Sequence, residues 1–304
     1  MVRVLIDTDI GSDVDDALAV SLAARSPELD VVGVTTVYGD VNLRSRIARK
    51  ILDLAGRSDI PVASGIGMPL LREKKAVMFG HEGKGFLKPD EMNIELRPIH
   101  AVHLIVSEAM KGELILVTLG SLTNIAAAII MEPRIIETIK ALVVMGGATN
   151  PESAEMDWNT NCDPEATRLV LNSGISTTLI PIDLTMRQED YFTERDMKRI
   201  KDADTPLTDA LSDLMYIWLE KQKELRRSLF QPKEMTKVWL HDPLTLMSVI
   251  EEDLFKMQNA RIEIAIVNGV LRTIPRLSEG VPMQVAVEAD FEAFKDKLIS
   301  RITA

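Results

Sequence analysis

The sequence predicts an α/β fold: an open, mostly parallel, doubly wound sheet with helices on both faces. Two observations carry that expectation. Short β-branched runs alternate with segments of helical spacing along most of the chain, which implies parallel strands joined by right-handed crossovers. The runs are also nearly continuous in apolar residues, as strands covered on both faces must be. At 304 residues and 46% hydrophobic, the chain can bury a large core. No repeat or low-complexity tract divides it, so residues 1–304 are expected to form a single domain.

The elements follow in order. Val2–Ile6 is a strand and Ala17–Arg25 a helix. Asp30–Val37 (DVVGVTTV) is a strand, Leu43–Gly56 has helical spacing, and Ile60–Ala63 is a brief strand. Met68–Leu96, rich in Gly, Lys and Glu, reads as a long loop and hence a candidate for function. Ile99–Lys111 is a helix, Leu114–Leu119 a strand and Leu122–Met131 a helix. Ala141–Met145 (ALVVM) is a strand that stops at Gly146-Gly147. Pro164–Leu171 is a helix and Thr177–Ile182 a strand. Asp204–Phe230 is a long amphipathic helix, with Leu207, Leu211, Leu214, Met215, Trp218 and Leu219 on one face. A lid spanning about 187–230, or an oligomer contact, competes there with an ordinary core-facing helix. Ile262–Val267 and Val270–Ile274 are strands, and Phe291–Ile302 closes the chain as a helix.

Composition narrows the function. The formal net charge is -11, which argues against a nucleic-acid polymer as partner, because binding phosphates needs a basic surface. Cys162 stands alone, so there is no intrachain disulfide and no sign of an oxidising compartment. No apolar run reaches membrane-spanning length, and the first strand leaves no room for a signal peptide. A soluble cytoplasmic protein is expected, with no membrane partner.

The most informative stretch is Asp7-Thr8-Asp9-Ile10-Gly11-Ser12-Asp13-Val14-Asp15-Asp16-Ala17. It follows the first strand, and in doubly wound sheets ligands sit beyond the carboxyl ends of the strands. Carboxylates packed this closely repel one another, and burying them unpaired is costly. A bound cation resolves the conflict, and oxygen-only ligands suit Ca²⁺ or Mg²⁺. A helix N-terminus favours one or two acids, but not this many. An EF-hand needs Gly at its sixth position and Glu at its twelfth. Counting from Asp7, Gly11 is fifth and the twelfth is Leu18. A Mg²⁺ phosphatase with an aspartyl nucleophile would use Asp-x-Asp but leaves Asp13, Asp15 and Asp16 unexplained.

With segments farther along, this loop resembles the nucleoside hydrolases, Ca²⁺-dependent enzymes that cut the N-glycosidic bond of ribonucleosides. Their opening signature, Asp-x-Asp-Pro-Gly-x-Asp-Asp-Ala, is similar to Asp7-Thr8-Asp9-Ile10-Gly11, two additional residues, and Asp15-Asp16-Ala17. Val37-Tyr38-Gly39-Asp40, His81-Glu82-Gly83-Lys84-Gly85-Phe86 and Leu119-Gly120-Ser121-Leu122-Thr123-Asn124 resemble later family segments, in the family's order. So do Val144-Met145-Gly146-Gly147, Asp157-Trp158-Asn159 with Asp163-Pro164-Glu165-Ala166, Pro181-Ile182-Asp183-Leu184-Thr185, and His241-Asp242-Pro243. Ile10 replaces the family's Pro, Asp40 its Asn and Asp157 its Glu.

The resemblance implies a Ca²⁺ site formed by Asp9, Asp16, the backbone carbonyl of Leu119 and Asp242. It implies Asp9 as general base toward water and His241 as the acid for the leaving base. It assigns the substrate to Asp15, Asp40, His81, Asn150, Asp157 and Asn159. It further implies nucleoside salvage and a homodimer or homotetramer. A ribose- or nucleoside-binding protein without turnover is the competing class, and a mere binder has no need of a water-activating metal. Thr123 and Asn124 are accounted for by helix capping. Trp239, Phe230 and Tyr191 are candidates to wall the base pocket, since flat bases stack on aromatic rings.

Overall fold

The computed structural model describes residues 1–93, 99–150, 153–154, 157–187, 189–229 and 236–304; Phe230 lies outside them. Six strands pair in parallel: β1 (Val2–Thr8), β2 (Leu29–Thr36), β3 (Val62–Ser64), β4 (Leu114–Thr118), β5 (Ile139–Met145) and β6 (Thr177–Ile180). Their spatial order is β3-β2-β1-β4-β5-β6. The short pair β7 (Tyr191–Phe192) and β8 (Val238–Trp239) forms a separate ribbon. The sheet then grows past β6 through β9 (Phe255–Val267), β10 (Val270–Arg276) and β11 (Val281–Ala289). β11 pairs in parallel with β6 and antiparallel with β9, which pairs antiparallel with β10. The fold is therefore α/β with a mostly parallel sheet, as expected.

Alternate residues of the central strands feed two separate cores. Val4 and Ile6 of β1 point to one, Leu5 to the other; in β5, Val143 and Met145 oppose Leu142 and Val144. Both sets are apolar because both faces are covered. On the first face lie α1 (Asp15–Ala24), α2 (Val41–Leu54), α9 (Glu194–Lys201), α10 (Pro206–Leu229), α11 (His241–Ile250) and α12 (Phe291–Ile302). On the second lie α3 (Ala101–Ala109), α4 (Thr123–Met131) and α7 (Pro164–Leu171); α5 (Ile135–Thr138), α6 (Trp158–Cys162) and α8 (Ile182–Thr185) are short helices of four or five residues. The chain runs β1, β2, β3 to one side, then returns past β1 to build β4, β5 and β6 on the other. The order reverses between β1 and β4, and a crevice at their carboxyl ends is where such sheets bind ligands.

Besides short elements such as β7, β8 and α9, which the sequence did not foretell, three departures from the expected elements have a clear cause. β9 begins at Phe255, seven residues before Ile262, and β11 was not foreseen. Its sequence, VPMQVAVEA, mixes apolar residues with Pro282, Gln284 and Glu288, which hides a strand whose outward positions are exposed. The helix α11 was also unforeseen, because Pro243 interrupts the helical pattern at its start. Pro243 lies in its first turn, where the missing N–H has no intrahelical partner to lose. Among the described residues no helix is long and apolar enough to cross a membrane.

Candidate active site

The carboxylate loop leaves β1 at Thr8 and enters α1 at Asp15. It turns at Gly11, whose φ of +112° is one that side chains rarely adopt. Arg44, in the first turns of α2 and only 1% exposed, pins the loop from beneath. Its guanidinium donates to the carbonyls of Asp9, Ile10 and Tyr38 and to the Ser12 hydroxyl. Asp15 and Asp16 fall in the first turn of α1 and Asp242 in the first turn of α11, where the positive end of a helix dipole favours acids.

These two helices pack against each other, and their N-termini bring three buried carboxylates together. Oxygens of Asp15, Asp16 and Asp242 lie within 4.8 Å of one another. Asp15 accepts the backbone N–H of Asp16 at 3.1 Å and of Asp242 at 3.2 Å. Thr8 donates its hydroxyl to Asp16. Burial first, then repulsion from neighbouring carboxylates, drives all three far above the usual carboxylate range. Asp9 is raised by burial and held back by Arg44. Its Oδ1 sits so close over Gly120 that a Cβ there would approach to 2.9 Å. Asp13 is pushed up to about 8, again chiefly by burial. A set of oxygen donors whose burial and repulsion demand positive charge fits a hard divalent cation.

Asp7, the first acid of the motif, has a different task. It is fully buried below the crevice and accepts from Thr35 and, at 2.7 Å, from the Asn124 amide. Asn124 also donates to the Thr36 carbonyl at 3.0 Å and accepts the Ile66 N–H at 2.9 Å. Capping therefore does not explain Asn124; it ties β1, β2 and the segment after β3 together. Thr123 likewise donates to Asp163 at 2.7 Å rather than capping α4.

A cavity of about 480 Å³ opens above the carboxylates. Of the expected residues, Asp9, Asp15, Asp16, Leu119, Asn159, His241 and Asp242 line it, and Asp13 joins them. Asn159 donates its amide to the Leu119 carbonyl at 2.8 Å, which leaves that oxygen a second lone pair. His241 rests with Nδ1 2.8 Å from the Thr185 hydroxyl and its ring stacked on Trp239 at 6.1 Å. Burial lowers it to about 4.

Asp40, His81, Asn150 and Asp157 are not brought to the lining. Asp40 is exposed and caps α2, accepting the Leu43 N–H at 3.0 Å. Asn150 is exposed, its backbone N–H 3.1 Å from Asp183. Asp157 is buried but spends its oxygens on the fold, accepting from Gly147 N–H at 2.6 Å and from the Thr160 N–H and hydroxyl. His81 lies behind the wall, stacked on Trp218 at 5.6 Å.

The wall itself holds residues the sequence did not single out for it. Phe79, Trp158 and Trp218 line the cavity together with Trp239 and Gln222. Phe79 stands 5.7 Å from Trp158 and 6.4 Å from Trp218 between ring centroids. Gln222 holds the chain before β8 through paired 2.8 Å bonds to the Lys237 backbone. Tyr191 packs behind Trp239.

The sequence profile of the inosine-uridine preferring nucleoside hydrolases matches residues 4–296. The chain belongs to that family. A curated relative, the inosine-uridine preferring nucleoside hydrolase of Leishmania major, is 31% identical over 310 residues, covering 96% of this chain and 94% of the relative. The pyrimidine-specific ribonucleoside hydrolase of Photobacterium profundum is 33% identical over 271 residues, covering 86% and 84%. Among solved structures, the purine-preferring ribonucleoside hydrolase from Gardnerella vaginalis superposes with a TM-score of 0.85 at 27% identity, covering 99% of this chain and 98% of that one. This nucleoside hydrolase is accordingly an enzyme that hydrolyses N-ribosyl bonds, with an acidic cluster able to hold a metal ion.

Proposed function

We propose that the protein is a Ca²⁺-dependent ribonucleoside hydrolase that yields ribose and free base. The observation that carries this reading is the trio of buried carboxylates at the sheet's switch point, opening into an aromatic-walled cavity. Asp9, Asp16, Asp242 and the Leu119 carbonyl would hold the ion, with Asp15 beside them. Ca²⁺ is favoured over Mg²⁺ because it accepts irregular cages with several carboxylates. When bound, the ion supplies positive charge that lowers the pKa of an attacking water.

The chain's own groups do the rest. Asp9, raised by burial, takes the water's proton as the oxygen attacks the anomeric carbon; the C1′–N bond breaks with its electron pair leaving on the base, which gains a proton to become the free base, and Asp9 returns its own to solvent. Asp15 accepts from a ribose hydroxyl. Asn159, its amide nitrogen engaged with the Leu119 and Met145 carbonyls, offers its oxygen to another. A buried site built around hydroxyls rejects sugars that lack them, so ribonucleosides are preferred to 2′-deoxyribonucleosides. The neutral His241, steadied by Thr185 and Trp239, meets the departing base as a hydrogen-bonding partner. Asp40, His81, Asn150 and Asp157 act, if at all, from outside the lining. A cytoplasmic homodimer or homotetramer acting in nucleoside salvage belongs to the same proposal.

The test is ribose release from inosine, uridine and adenosine, with EDTA and after Ca²⁺ is restored. Activity that disappears with chelation and returns with Ca²⁺ is expected. Direct displacement should invert the anomeric carbon, so NMR should show α-ribose first; β-ribose first would reject the single-step path. No ribose from any nucleoside would leave a binding protein.

A further inference from the structure

Glu82 belongs to the loop outside the metal cluster, and it does not line the cavity. It is nevertheless only 6% exposed. Its carboxylate accepts the backbone N–H of Phe79 at 2.7 Å and of Gly80 at 2.6 Å, closing a tight turn. It also accepts the Ser12 hydroxyl at 3.2 Å. Ser12 in turn takes a 3.1 Å bond from Arg44, and its carbonyl lies 2.8 Å from Nε2 of His81. Burial alone would raise Glu82, but these N–H groups and His81 keep it below the usual carboxylate range, so it is charged near neutral pH. Three groups, Glu82, Arg44 and His81, thus meet at Ser12, and they join two loops. One presents Asp9. The other presents Phe79 to the cavity and stacks His81 on Trp218.

We propose that Glu82 is a positioning residue: through Ser12 it clasps the 79–82 turn to the carboxylate loop and so sets the aromatic wall against which the base rests. The inference rests on the nucleoside hydrolase reading above. Glu82 touches neither the cation ligands nor the reacting atoms, so nucleoside binding should depend on it while cation binding should not.

Glu82→Ala and Glu82→Gln in the full chain test this. Charge-assisted bonds of this kind are strong enough that Glu82→Ala should raise KM by about tenfold while kcat stays within about threefold. Glu82→Gln keeps one acceptor oxygen and should raise KM by only about threefold. Calcium affinity, measured calorimetrically without nucleoside, should stay within about twofold, because no cation ligand is altered. Amide hydrogen exchange across residues 79–82 should accelerate in Glu82→Ala. An unchanged KM in both variants overturns the proposal. So does calcium affinity falling in step with KM, which would make Glu82 a general support of the carboxylate loop. If the wild type releases no ribose, the functional reading fails by itself, and exchange still decides the clasp: unchanged protection in Glu82→Ala overturns it.

Discussion

At the carboxylate end of the cavity, every functional group issues from the tip of a strand or the first turn of a helix. Asp9 and Leu119 follow β1 and β4; Asp15, Asp16 and Asp242 open α1 and α11. At the aromatic end, the side chains come from a turn in a long loop (Phe79), the short α6 (Trp158–Cys162), the middle of α10 (Trp218, Gln222) and the two-residue β8 (Trp239). The first end is anchored in the sheet that the whole chain builds. The second is assembled from separate pieces held by side-chain bonds such as Gln222 to Lys237 and Glu82 to Phe79. On the proposed reading, sugar chemistry, common to every ribonucleoside, would sit on the sheet-anchored part, and base recognition on the part that can vary without disturbing the sheet.

The comparison is broken most sharply from the carboxylate end. Asp242→Asn keeps the shape of the side chain but removes one charge from the trio. On the proposed reading the ion would both gather the ligands and activate water, so kcat should fall by about 10³-fold or more. The loss should be similar on every nucleoside. A loss that depended on the base would mean that the two ends are not separable.

His241 lies between the two ends, stacked on Trp239 and next in sequence to Asp242. His241→Ala should cost about 10²-fold in kcat on inosine or uridine. On a p-nitrophenyl riboside, whose leaving group needs no help, the cost should be far smaller. Equal losses on both would place the ring's role in supporting α11 rather than in base departure.

At the aromatic end the effect should appear in KM. A base stacked on an aromatic ring gains roughly 1–3 kcal/mol, so Trp218→Ala should raise KM by about tenfold and leave kcat nearly unchanged. The rise should differ between inosine and uridine, because their bases present different areas to the ring. A uniform fall in kcat instead would show that the wall reaches the chemistry.

The same division explains what the sequence revealed. The parallel sheet was legible because its strands are apolar on both faces, and the carboxylates because their motif is nearly contiguous. Asp242 was legible only through the resemblance; nothing local marks it as a neighbour of Asp15, since α11 itself was hidden by Pro243. The aromatic wall was largely illegible. Phe79, Trp158 and Trp218 are 139 residues apart from first to last and carry no common spacing, because folded backbone rather than sequence brings them together. Trp218 was read only as part of an apolar helix face. Trp218 is buried in the same core as Leu207, Leu211 and Met215, and, farther along the stripe, it also reaches the cavity. Asp157 and Asp40 show the converse: matching a motif position does not say whether a carboxylate is offered to a ligand, and here both accept backbone N–H groups.

Asp40 gives the smallest expected effect and a direct check of that last point. It is exposed, and its carboxylate accepts the Leu43 N–H at the start of α2. Losing an N-cap costs about 1 kcal/mol, which in a chain of this size lowers Tm by about 2 °C. Arg44, one residue past Leu43, holds the carboxylate loop through three of its groups, the Asp9 and Ile10 carbonyls and the Ser12 hydroxyl, so fraying confined to the first turn should scarcely reach Asp9. Asp40→Ala should therefore lower Tm slightly and leave kcat/KM within about twofold, since surface changes away from the site are usually small. A tenfold loss of kcat/KM at unchanged Tm would put Asp40 back at the sugar and would require this rim of the cavity to close over the ligand.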